Sequence, residues 1–146
     1  MNIKELFTIA IAVALFAVVA SVNKDDKSVA IKGYDPVAYF TQGRPVKGSA
    51  AYSHNWMGAT WLFADAADRD LFAADPDRYA PVDGGFCACD VTQGRLVSID
   101  PEAWRIVNGK LHLNYSQGVQ KTWLSALQRH LEDANRNWPT LQQRFP

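Results

Sequence analysis

Two cysteines stand two positions apart, Cys87 and Cys89, just behind the double glycine Gly84-Gly85. A thiolate is both a nucleophile and a soft metal ligand. A C-x-C pair can place two sulfurs on one ion, and thiolates select Cu(I) or Zn(II). What the pair can do depends on the element that carries it. A short helix opening at Gly84-Gly85 and closing at Gly94 puts Cys87 in its first turn, where backbone N–H groups favour the thiolate. On such a helix residues i and i+2 point roughly 200° apart. A strand over 86–91 would instead put both sulfurs on one side. The apolar run from Phe86 to Val91 leans towards helix, with strand as the alternative. His112 is the third candidate, an imidazole able to complete a mixed S/N site with Cys87. The competing reading makes both cysteines small buried hydrophobes and His112 a half-exposed strand histidine.

The other reactive side chains read as packing. His54 lies between Tyr52 and Trp56 on a predicted strand, so it packs beside aromatics. Met57 is a soft thioether at the adjacent turn, where an exposed or packed residue is the plainer reading. His130 sits at the edge of a helical apolar stripe, as surface or as a satisfied boundary residue. The sequence has no Walker loop, G-x-G-x-x-G, H-E-x-x-H, C-x-x-C or G-x-S-x-G motif. No carboxylate pair stands out as an acid/base couple.

Positioning these residues falls to two predicted hairpins and three or four helices. Asp35-Pro36 caps a helical turn over Val37 to Phe40 that stops at Gly43. Ala50 to Trp56 alternates, Met57-Gly58 turns, and Thr60 to Phe63 returns. Asp65 caps a helix with Asp68 three residues on, Leu71 and Phe72 face inward, and Pro76 ends it. Asn108-Gly109 suits a type I′ turn between Trp104–Val107 and Lys110–Asn114. Ser116 caps a long C-terminal amphipathic helix with Val119, Trp123, Leu127 and Leu131 on one face, ending at Trp138-Pro139. The expected fold class is α+β, a small antiparallel sheet from two hairpins packed with helices.

The chain of 146 residues is sized for one domain. Fifteen basic and fifteen acidic residues give zero formal charge, which argues against nucleic-acid binding. A hydrophobic content of 48% excludes disorder throughout, and two cysteines are too few for a disulfide-stapled miniprotein. Leu6 to Ala20 is apolar except for Thr8, with Val18 and Ala20 placed for cleavage before Ser21. At ~1.5 Å per residue this run is shorter than the roughly 20 apolar residues that span a bilayer. Residues 1–20 therefore read as a cleaved signal peptide, or alternatively as an N-terminal membrane anchor. Residues 21–28 read as a polar linker, and 29–146 as the folded domain, periplasmic or secreted, or tethered on the outer side of a membrane.

The stretch from Val29 to Phe40 resembles the opening of the long, exported form of the YHS-domain family. So do Gly58 to Phe63, Arg69 to Phe72, Asp75 to Pro81, Gly84 to Ala88, Pro101 to Trp104 and the hairpin from Asn108 to Tyr115. The likeness runs in order over nearly all of Val29 to Pro139. It implies an extracytoplasmic YHS-like domain, with metal binding inferred from short YHS domains on metal-transport ATPases. Those short forms carry Cys where this chain has Ala38 and Ala64, so their thiols are missing. Cys87 belongs to the long form's Gly-Gly-aromatic-Cys-Ala pattern. Cys89 and His112 are local to this chain, and similar long forms often have Tyr where His112 stands. Three expectations follow: a soft-metal protein binding copper or zinc through Cys87, Cys89 and His112; a non-catalytic interaction module with an unknown protein partner and Cys87 in its core; and a thiol-dependent enzyme.

Overall fold

A computed structural model describes residues 29–144; the leader expected over 1–20 and the linker over 21–28 lie outside the described residues. Among the described residues the fold is α+β, with two two-stranded antiparallel sheets and six α-helices. None of these helices is long and apolar enough to cross a membrane. After a short 3-10 turn at Ala30–Gly33 come α1 (Ala38–Thr41), β1 (Ser49–Trp56), β2 (Ala59–Phe63), α2 (Ala66–Ala74) and α3 (Pro76–Tyr79). A second 3-10 turn, Asp83–Gly85, precedes α4 (Ala88–Val91), β3 (Asp100–Val107), β4 (Lys110–Asn114), α5 (Gln117–Ser125) and α6 (Leu127–Gln142).

Both hairpins form where local chemistry calls for them. Their turns have positive φ at both central residues, Met57 and Gly58 in one, Asn108 and Gly109 in the other. That is the backbone of a type I′ turn, whose twist matches the flanking strands. The hairpins do not pair with each other, which corrects the expected single sheet. A lone hairpin is marginal in water, so each is held by the helices against it. Trp61 and Phe63 of β2 are buried against Phe72 of α2, with ring centroids 5.1 and 5.2 Å apart. Leu111 and Leu113 of β4 join the same core, with Tyr39 and Trp123.

Side-chain caps start three helices. Asp65 accepts from Asp68 N–H at 2.8 Å to open α2, and Ser116 accepts from Val119 N–H at 3.1 Å to open α5. Asp35 is fully buried and does more. Its Oδ1 accepts from Val37 and Ala38 N–H ahead of α1, and its Oδ2 accepts from Ala64 N–H at 2.9 Å. One carboxylate therefore joins the start of α1 to the end of β2.

Three local expectations need correction. Leu71 is 43% exposed while Phe72 alone is fully buried, because a single helix face meets the hairpin. The Ser116-capped helix breaks at Ala126, whose φ of −139° and ψ of 46° are not helical, so α5 and α6 are separate. Pro139 lies inside α6 and does not end it. An interior proline costs roughly 3 kcal/mol. Here the turn beyond it carries Leu141, 2% exposed, into a small second core with Val91 and Ala134, which offsets the lost hydrogen bond.

Candidate functional site

The cysteines lie where the second 3-10 turn feeds α4. The double glycine does not open that helix. Gly84 and Gly85 belong to the preceding turn, with φ of 62° and 80°, and Cys87 is the cap residue before Ala88. Helix is nevertheless the right choice for the segment, and Gly94 follows it at φ 75°. Cys87 N–H donates to Val97 C=O at 2.9 Å, and Cys87 C=O accepts the first helical bond from Val91.

The Cys87 side chain is fully buried. Its Sγ accepts from Tyr115 N–H at 3.2 Å, and its thiol donates to Asn114 Oδ1 at 3.6 Å. Asn114 Oδ1 also accepts from Cys89 N–H at 3.1 Å. The end of β4 is thereby bound to the start of α4 through one sulfur and one amide. Burial pushes the Cys87 thiol up to about 11, against the expectation of a thiol acidified by helix N–H groups. Burial raises the Cys89 thiol as well, with Asp90 beside it adding to the shift. Both cysteines are free.

His112 is 6% exposed, not half-exposed on a strand surface. Residues Leu111 to Asn114 are all buried, because α5 packs over the face of β4 that a simple hairpin would leave to water. The imidazole lies on the indole of Trp123, ring centroids 5.0 Å apart. Burial lowers its pKa to about 4, so the ring is neutral at neutral pH. Cys87 and Cys89 thus meet at Asn114, whereas His112 stacks on Trp123. Among the described residues no group of three or more His, Cys, Asp or Glu side chains is placed to hold a metal ion. Buried protonated thiols and a ring packed on indole do not match what a soft cation needs, which is ionised sulfur converging with a nitrogen lone pair.

The remaining histidines behave as their spacing implied. His54 packs against Phe72 at 6.1 Å, and His130 Nδ1 meets Trp123 C=O at 2.7 Å. Met57 is 70% exposed at its turn.

A second pair of side chains escaped the sequence reading. Asp68, buried in the first turn of α2, hydrogen-bonds the side chain of Asp35. Burial and this neighbour push Asp68 up to about 7. Its Oδ2 finds no partner among the described residues. Asp35 was legible as a cap and Asp68 as the residue completing the Asp65-capped start; that they share one buried spot was not, because they lie in different elements. Asn114 was missed for the same reason, an amide at a strand end giving no local sign that two cysteines converge on it. No family model, curated protein or solved structure matches this chain.

Proposed function

We propose that the chain is an exported, YHS-like module that works by holding a protein partner, with Cys87 a structural core residue. What supports this most is the use already made of the Cys87 sulfur. To bind a cation it would give up its hydrogen bonds to Asn114 and Tyr115, each worth about 1 kcal/mol. It would also have to ionise from a pKa of about 11, against an ordinary 9.0. That difference adds about 3 kcal/mol over an exposed thiol. No catalytic motif in the sequence argues for turnover, and Val29, Met57, Leu71 and Tyr115 are large apolar side chains left exposed among the described residues.

The test is a metal titration of the reduced full chain: Cu(I) in competition with a chromogenic chelator, Zn(II) by calorimetry, for wild type, Cys87→Ser and Cys89→Ser. The expected result is equal, weak binding by all three. One equivalent held tightly by wild type and lost in Cys87→Ser would overturn the proposal and restore the soft-metal reading. Rapid alkylation of one thiol in the native protein, with turnover abolished by it, would restore the thiol enzyme.

A further inference from the structure

Four buried side-chain polar atoms lack a protein partner among the described residues: Asp68 Oδ2, His112 Nδ1, Asn114 Nδ2 and Trp123 Nε1. Two of them belong to β4 and a third, Trp123, to the α5 helix packed against it. His112 and Asn114 project from the same face of β4, two residues apart. Trp123 lies on His112. An unpaired buried polar group costs about 1–3 kcal/mol, so each such group calls for a reason.

His112 also lines a cleft of about 190 Å³. It is the only buried residue of the lining and so forms the floor. Val82, Val107 and Leu131 are half-buried walls, and Asn108, Lys110 and Asn135 stand exposed at the rim. No carboxylate lines the cleft, and Lys110 is its only formal charge. The Lys110 ammonium donates to Asp77 C=O at 2.9 Å and has further N–H groups to offer.

His130 has its ring fixed by the Trp123 carbonyl. His112 Nδ1 is buried and has no partner among the described residues, so no bond at Nδ1 sets which nitrogen carries the proton. A neutral imidazole in that state can offer N–H to an acceptor in the cleft without losing an internal bond. The rim adds two amides and an ammonium. Sites for drug-sized ligands run to about 300–1,000 Å³, so this cleft suits something smaller.

We propose that this cleft binds a small carboxylate with a short apolar tail. Lys110, the amides of Asn108 and Asn135 and the His112 ring receive the carboxylate, and Val82, Val107 and Leu131 receive the tail. The test is an NMR titration of the isotope-labelled full chain with butyrate, following the His112 ring nitrogens and the backbone amides around the cleft. Butyramide, which has the same shape without charge, and butylammonium, which has the opposite charge, are the controls. Butyrate is expected to give saturable shifts and to drive His112 to one tautomer. Butyramide should bind about tenfold more weakly, the loss of one charge-assisted hydrogen bond, and butylammonium should not bind. Lys110→Ala, at an exposed position, should weaken butyrate about tenfold and leave thermal unfolding unchanged. Absence of a saturable response to butyrate, equal binding of butyramide, or indifference to Lys110→Ala would each overturn the proposal.

Discussion

Replacing Asp68 by Asn should make the domain less sensitive to pH and more stable in mild alkali. The side chain of Asp68 hydrogen-bonds that of Asp35, whose own oxygens already accept from Val37, Ala38 and Ala64. An Asn side chain can donate in the same place and cannot ionise. The Asp68 pKa rises from 3.8 to about 7 on folding. The folded state therefore holds the proton more tightly than the unfolded chain. The resulting stabilisation is whole below pH 3.8 and is lost as the pH rises through about 7. At ~1.4 kcal/mol per unit the full loss is on the order of 4 kcal/mol, of which about 2–3 kcal/mol falls between about pH 5 and about pH 8. One effect opposes the substitution. Asp68 is in the first turn of α2, where a negative charge gains about 0.3–1 kcal/mol from the helix dipole. That is smaller, so Asp68→Asn should still be the more stable protein near about pH 8, by roughly 1–3 kcal/mol. Burial also raises Asp83, to about 6, with the same sign. It contributes equally to both proteins and cancels in the difference. Urea unfolding followed by tryptophan fluorescence at the two pH values measures the effect. Parallel pH dependence in the two proteins would refute the raised Asp68 pKa.

Three further outcomes are expected. Gly109 and Gly84 both have left-handed φ, 73° and 62°, but a Cβ on Gly109 meets nothing within 4 Å, whereas on Gly84 it would stand 2.7 Å from the Trp138 ring. Gly109→Ala should cost about 1–2 kcal/mol of backbone strain and Gly84→Ala distinctly more, compared by urea midpoints; equal losses would remove Trp138 from the account. His112 titrates near 4 when folded against 6.5 otherwise, so its contribution is present above pH 6.5 and is lost as pH falls through about 4. His112→Phe, keeping a ring on Trp123, should flatten that acid limb by up to about 3 kcal/mol, and an unchanged limb would contradict the buried neutral ring. Mass spectrometry of the protein from its native host should find a mature N-terminus at Ser21; intact Met1 in the membrane fraction would favour the anchor, and a soluble full-length cytoplasmic chain would exclude export.

The sequence by itself determined whatever depends on neighbours along the chain. Met57-Gly58 and Asn108-Gly109 turn because two adjacent residues adopt positive φ, and Asp65 and Ser116 cap because the N–H groups they accept from are three residues away. Those features set the hairpins, the starts of α2 and α5, and the α+β class. Tertiary structure decided everything that needs two distant segments to meet. Alternation in β4 marks Leu111 and Leu113 as inward, but only the packing of α5 decides that His112, on the opposite face, is buried as well. The pattern around Gly84-Gly85 marks Cys87 as special, yet its buried, protonated state follows from Asn114 and Tyr115, 27 and 28 residues further on. Asp35 reads as a helix cap and Asp68 as the partner of the Asp65 cap, and the two meet because β2 returns the chain to Asp35 just before α2 begins. Burial and partner distance set a side chain's chemistry, and neither is a property of local spacing.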